Sequence, residues 1–439
     1  MTKKVIVVGG GLAGLVAANV AANSGCQVTL FEKSHSLGGR ASTLEKRGVR
    51  FNLGPHALYR SGQAFKILRE LGVEFTGGIP KVGGTVGVRS GRKHLLPSGA
   101  MTLLTTGLFN LPAKLEAAQL LGSLPKIDAA KFNHLTVREW LDKEIRTDDL
   151  RQFLQAFFRL GTYANDPERQ SAGMALAQFQ MALSESVLYP DGGWQVLVDG
   201  LRAKAESAGV KITAEARVEK VERDQSGKVT GVRLDDGSRQ SADAVIIAAS
   251  PDEACQLIES EPTLLSEWAK QAIPVKAACL DIALERLPEP QTTFALGVDR
   301  PLYLSVHSAA AKLAPEGQAM IHVLMYLGSA APADAKAVEH ELEELLDLVQ
   351  PGWQKVLIER RFLPAMTVVN ALATAEQGGL AGRPGPVVPG IEGLFVAGDW
   401  VGAEGWLADA SVASGKRAAE LAIQYRARKQ AESCQLTAC

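Results

Sequence analysis

The chain has 439 residues, 46% hydrophobic and 22% charged, with 47 Lys and Arg against 48 Asp and Glu for a net charge of −1. That length supports two or three domains with sizeable cores, and the even charge excludes a basic field for nucleic acid and a strongly acidic tail. The five cysteines, Cys26, Cys255, Cys279, Cys434 and Cys439, show neither C-x-x-C nor metal-ligand spacing, so no metal is expected and free thiols in a reducing compartment are. No apolar run reaches transmembrane length. The first predicted strand follows Lys3 and Lys4 directly, leaving no secretory leader ahead of it, so the expected location is the cytoplasm.

Val5 to Val8 is apolar and β-branched and predicts a buried parallel strand. It runs into Gly9-Gly10-Gly11-Leu12-Ala13-Gly14, which fits G-x-G-x-x-G, and then into an alanine-rich helix. In such a turn Gly9 makes the reversal, Gly11 lets the backbone approach a pyrophosphate, and Gly14 lets helix and strand pack closely. The pyrophosphate sits on the unpaired N–H groups of the helix start, at Leu12 and Ala13. A second strand, Gln27 to Phe31, ends at Glu32, near the spacing at which a carboxylate grips ribose hydroxyls, with Lys33 beside it. Gly38-Gly39-Arg40 follows: Gly39 allows another close backbone approach, and Arg40 supplies a fixed cation near phosphates. Next comes Phe51-Asn52-Leu53-Gly54-Pro55-His56.

These motifs resemble the FAD-dependent amine oxidase and phytoene desaturase superfamily, which carries G-G-R shortly after the acidic residue and a D-x-G-P segment beside the flavin ring. This sequence departs at Asn52, where an acid is usual. The resemblance implies an α/β fold in which a discontinuous Rossmann-like FAD-binding domain carries an inserted α+β substrate domain. It places Gly54, Pro55 and His56 at the flavin. His56 is either a proton acceptor there or a packed polar residue.

Phe65 to Leu71 reads as a short helix, and the chain leaves the nucleotide domain near residue 78. From Leu95 to Leu188 the pattern is helical. Met101 to Leu124 is apolar enough to form a core helix, cover an apolar tunnel or dip into a membrane surface. Thr136-Val137-Arg138-Glu139 suits a capping box, and Tyr163 is a candidate lining residue. Tyr189-Pro190-Asp191-Gly192-Gly193 resembles the family's Y-P-x-G-G turn. Ala216 to Arg223 and Val229 to Leu234 form a predicted hairpin, and the resemblance sets the Val218 backbone against the adenine. Ala244 to Ala249 reads as another buried strand.

Val275 opens a second excursion. Lys276 resembles the lysine that amine oxidases hold near flavin N5, and also fits a surface lysine at a strand start. Val338 to Val349 reads as an acidic helix with a solvated face. Gly378 to Gly382 repeats the letters of the first motif, but Arg383-Pro384 forbids a following helix, so a loop is expected.

Gly393 to Trp400 is an apolar strand ending in Gly398-Asp399, followed by Gly405-Trp406-Leu407-Ala408-Asp409-Ala410-Ser411-Val412-Ala413-Ser414-Gly415. The resemblance implies that Asp399 accepts from the ribityl or phosphate end of FAD. The helix from Ala410, with Ser411 and Val412, then aims its N–H groups at the flavin N1–C2=O edge. Trp406 falls where amine oxidases carry a cage tyrosine. Asp409 replaces a glycine and is either catalytic or an N-cap. No cysteine lies near this segment, so the FAD is expected to be non-covalent.

The expected domain map is 1–78, 191–265 and 365–425 for FAD binding, 79–190 and 266–364 for substrate, and 426–439 as a flexible tail. The expected function is hydride removal from a C–H bond, foremost desaturation of an apolar isoprenoid or lipid-like molecule, with oxygen or a quinone as final acceptor. The candidate reactive groups are His56, Lys276, Trp406 and Asp409; an amine oxidase, supported by Lys276 and Trp406, a non-redox flavin isomerase and a lipid-binding protein stay open. So do peripheral membrane contact and a homodimer.

Overall fold

The computed structural model describes residues 2–81, 83–258, 264–329 and 334–436. Cys439 lies outside them. Cys26, Cys255 and Cys279 are free thiols.

The strand Lys4–Val8 occupies the middle of a five-stranded sheet ordered Lys211–Thr213, Gln27–Phe31, Lys4–Val8, Ala244–Ile247, Leu394–Val396. Every pairing in it is parallel. Side chains alternate between faces along a strand, and both faces here are covered. Val5, Val7, Leu30 and Ile246 pack under the helices Leu12–Asn23, Gln63–Glu70, Gln195–Ser207 and Ala408–Leu436. Ile6, Phe31, Val245 and Val396 pack on the other side with the three-stranded sheet Val218–Arg223, Val229–Leu234, Arg239–Ser241. Burial on both faces is why these strands read as continuous apolar runs. The carboxyl ends of the parallel strands point to one edge, where ligands bind in such sheets.

A seven-stranded sheet forms the second body, ordered Leu357–Val369, Val275–Leu284, Ala319–Leu327, Leu302–Val306, Phe294–Gly297, Thr85–Arg89, Arg92–Leu95. Segments some two hundred residues apart meet in it, through the parallel pairing of Phe294–Gly297 with Thr85–Arg89. One face packs on the helix Ala335–Val349. The acidic helix read with a solvated face buries its other one: Val338, Leu342, Leu345 and Val349 form an apolar stripe at helical spacing against the sheet. The other face presents Cys279, Tyr303, Leu324 and Tyr326 towards the interior.

Five helices between Ala100 and Glu185 pack around their own aromatic core of Trp140, Phe153, Phe158 and Phe179. The capping box is present: Thr136 accepts from the Glu139 N–H, and Glu139 accepts from the Thr136 N–H. Gly379–Gly382 is a single 3₁₀ turn. The closing helix Ala408–Leu436 runs on into the segment expected as a tail from residue 426, and no proline or glycine interrupts residues 416–436. Among the described residues no helix is long and apolar enough to cross a membrane.

Candidate functional site

A cavity of about 1930 Å³ lies between the two sheets, lined by the glycine turn at one end and by the seven-stranded sheet and the helical layer at the other. Pockets that take one small molecule run to roughly 1,000 Å³, so this one has room for a dinucleotide and a substrate together.

At the dinucleotide end, Gly9, Gly11, Leu12, Ala13, Glu32, Lys33, Gly39, Arg40 and Val218 all reach the wall. Gly9 adopts φ +106, and a side chain there would meet the Ala248 carbonyl at 2.5 Å. Gly11 is the N-cap of Leu12–Asn23 and provides no side-chain cap, so the first N–H groups of that helix are left for an anion. Gly11 bridges Gly38, which leaves a strip of backbone bare of side chains. Glu32 accepts from the N–H groups of Gly10 at 2.7 Å and Ser34 at 2.8 Å, which fixes its carboxylate at the strand end. Lys33 pairs with Glu253 across the rim.

Arg40 Nη1 donates to Asp399 Oδ2 at 2.6 Å and to the Val368 carbonyl at 2.7 Å. Asp399 is buried and also accepts from the Asn370 backbone N–H at 3.2 Å and side-chain amide at 2.8 Å. These partners make Asp399 the group that orients Arg40 along the bare backbone strip. Gly398 reaches the wall and is pinned by Ser414 Oγ, which bonds both its N–H and its carbonyl. An uncapped helix start, a glycine-lined strip, a fixed guanidinium and a ribose-side carboxylate together fit FAD, and these residues would hold it. Among the described residues no cysteine lines the cavity.

His56 and Pro55 line the wall further in. His56 Nδ1 lies 3.0 Å from the Gly54 carbonyl, which can only accept, so Nδ1 carries the proton and Nε2 is left as an acceptor. Burial pushes its pKa down to about 4, so the ring is neutral at neutral pH. Gly54 sits behind it at φ +78, against Met366 and Cys279. Asn52, where the family carries an acid, faces the protein: its Oδ1 accepts from the Trp194 N–H and the Thr43 hydroxyl.

Several expected site residues do not reach the cavity. Lys276 is exposed on its strand, opposite Leu327 and Thr367, because alternation turns it away from the inner face that Ala277 shares with Cys279. Trp406 is fully buried, and its indole N–H donates to the Thr162 carbonyl at 2.9 Å. Ala410 and Val412 are buried in packing, leaving Leu407, Ala408 and Ser411 at the wall. Gly14 serves helix packing alone: a Cβ there would lie 1.9 Å from the Gly9 carbonyl oxygen.

Asp409 caps a neighbouring helix. Its Oδ1 accepts from the Ala64 N–H, in the first turn of Gln63–Glu70, at 2.6 Å, while Oδ2 is buried without a partner. Burial raises its pKa to about 6. The folded state thus holds this proton more tightly than the unfolded chain, and stability falls as pH rises from about 4 to about 6. Asp409→Asn keeps the cap and removes the titration. It should flatten that part of the Tm–pH profile and stabilise the protein above pH 6 by on the order of 2 kcal/mol; an unchanged slope would show that the carboxyl is not buried as described.

Sequence reasoning missed Tyr59, Tyr189, Tyr303 and Ser305, which reach the cavity from three separate segments. Only the Y-P-x-G-G resemblance brought Tyr189 into view.

The family model for flavin containing amine oxidoreductases matches residues 12–423. The 4,4'-diaponeurosporene oxygenase of Staphylococcus aureus (strain USA300) is 28% identical over 281 residues, covering 56% of this chain and 55% of that one. The chain thus matches about half the length of these curated relatives. Among solved structures, an oxidoreductase from Methanosarcina mazei superposes with TM-score 0.74 at 20% identity, over 94% of this chain and 98% of that one. Cyclohexylamine oxidase from Brevibacterium oxydans gives 0.72 at 19%, over 97% and 99%. Putrescine oxidase bound to putrescine gives 0.74 at 17%, over 97% and 99%. At such identities the likeness shows a shared fold. With the family model spanning nearly the whole chain and the glycine turn, Arg40–Asp399 pair and closing helix converging on one cavity, the chain belongs to the flavin containing amine oxidoreductases.

Proposed function

We propose that the protein removes hydrogen across a C–C bond of an apolar, isoprenoid or lipid-like substrate. Bound FAD supplies the hydride acceptor, and oxygen or a quinone takes the electrons onward. The observation that carries this reading is the inner wall, built from Phe157, Leu160, Phe179, Phe294, Leu363 and Met366. This surface excludes water and offers a long chain apolar contact. The lining carboxylates lie at the dinucleotide end (Glu32, Glu219, Glu253, Asp399) or, for Glu185, on an exposed helix end. Among the described residues no ammonium partner stands at the inner wall, and with Lys276 outside and Trp406 buried the amine oxidase reading loses its two supports. The relative named as a diaponeurosporene oxygenase fits an isoprenoid substrate.

Entry is proposed from a lipid surface. Leu96, Pro97 and Ser98 line the cavity immediately before the helix Ala100–Thr105. That helix and Leu111–Ser123 expose Met101 at 73%, Leu111 at 70% and Leu115 at 66%. Exposed apolar patches of this kind mark membrane or protein contacts.

The test is anaerobic reduction of the bound flavin by linear isoprenoids and by primary amines. Isoprenoids should bleach it and amines should not; the reverse would overturn the reading. A Leu111→Asp, Leu115→Asp variant should slow reduction by vesicle-borne substrate at least tenfold and leave detergent-dispersed substrate unaffected. Equal rates from vesicles would remove the membrane contact.

A further inference from the structure

Directly opposed positions on four neighbouring strands put Arg361, Asp281, His322 and Ser305 in one row across the inner face of the seven-stranded sheet. Such polar residues are costly in a buried sheet unless they satisfy one another. Arg361 Nε donates to Asp281 Oδ2 at 3.0 Å, and His322 Nδ1 donates to Asp281 Oδ1 at 2.5 Å. The donor atoms of Cys279, Asp281 and His322 lie within 4.8 Å of one another. The guanidinium and the imidazole N–H already take both carboxylate oxygens, so the cluster is an ion-pair row with no place for a metal cation.

The row continues to the cavity. The His322 ring meets the edge or face of His307 with centroids 4.5 Å apart at 81°. His307 stacks on Tyr189 at 3.9 Å, and its Nε2 lies 3.4 Å from the Tyr303 hydroxyl. Tyr303, Ser305 and Tyr189 all reach the wall. Other wall tyrosines are committed elsewhere: Tyr163 donates to the Pro55 carbonyl and Tyr59 to that of Gly161. A hydroxyl cluster in an apolar wall is the type of feature that orients a ligand.

We propose that Tyr303, flanked by Ser305 and Tyr189 and held by the His307–His322–Asp281 row, is a specificity subsite for a neutral oxygen, a hydroxyl or carbonyl, on an otherwise apolar substrate. The inference rests on the apolar-substrate reading and narrows it. An anion finds no free cation here, because Arg361 is turned to Asp281 and the Asn52 carbonyl. An ammonium finds no free carboxylate, because Asp281 is buried and fully engaged. Burial raises the phenols of Tyr189 and Tyr303, so both stay neutral and can donate or accept. His307 and His322 act as positioning residues that fix the Tyr303 hydroxyl.

The test measures binding to the flavin-loaded protein of all-trans-retinol, of its deoxygenated hydrocarbon axerophtene and of retinylamine. Retinol should bind about tenfold tighter than the hydrocarbon and tighter than the amine. Tyr303→Phe should bring the alcohol-to-hydrocarbon ratio near one with hydrocarbon affinity unchanged. His307→Gln should lower the ratio in part, which a merely structural loss would not do, since that would weaken both probes. If Tyr303→Phe fails to retain flavin, Ser305→Ala and Tyr189→Phe must each lower the ratio. Equal binding of alcohol and hydrocarbon by the wild type, a ratio that survives these variants, or preference for the amine overturns the subsite. Wild-type protein that binds none of the three overturns the apolar-substrate reading beneath it.

Discussion

Gly14→Ala is expected to purify without flavin and to lose about 2–4 kcal/mol of stability. The added Cβ would lie 1.9 Å from the Gly9 carbonyl oxygen and 3.1 Å from its carbon, both backbone atoms. Gly9 cannot retreat, since its N–H donates to Phe31 at 2.8 Å and its own Cβ position is 2.5 Å from the Ala248 carbonyl. Nor can the helix Leu12–Asn23 back away, because Gly415 of the closing helix packs on it with a Cβ position 2.3 Å from the Ala13 carbonyl. The strain must therefore move the helix start that receives the pyrophosphate. Flavin-to-protein ratio and Tm read the effect. A yellow, stoichiometric variant melting with the wild type would mean that helix and strand are not in this contact.

Asp399→Ala should weaken FAD binding about a hundredfold and cost about 2–3 kcal/mol. Asp399 is buried, and its loss leaves Asn370 without the acceptor for two N–H groups and frees Arg40 from its 2.6 Å bond. Arg40 is 43% exposed, so its freed charge hydrates and the larger cost falls on Asn370. Release of the guanidinium raises its attraction for phosphate but abandons its geometry; the second effect prevails because a disordered arginine must be ordered again on binding. Asp399→Asn, which keeps one acceptor, should lose less. Titration of apoprotein with FAD decides it: equal affinity in all three proteins would remove Asp399 from the cofactor site.

What the sequence made legible was local. The glycine turn, its strand and Glu32 lie within 28 consecutive residues, and their roles follow from spacing because strand, turn and helix have fixed periods. The capping box at Thr136 was legible for the same reason. What escaped depends on which way a side chain turns in the assembled sheet. Lys276 and Ala277 are adjacent, yet one is exposed and the other is buried on the inner face of the sheet. Asp409 finds its partner at Ala64, 345 residues away. The row from Arg361 to Ser305 exists only through cross-strand register, which no linear motif records.

The most direct measurement is a crystal structure of the flavin-loaded protein. FAD density should run from Glu32 and Val218, past Gly11 and Arg40, to a ring lying between His56 and Ser411, with the Tyr303 side of the cavity left for substrate. Density elsewhere, or a ring turned away from His56 and the closing helix, would contradict the assignment of the cavity.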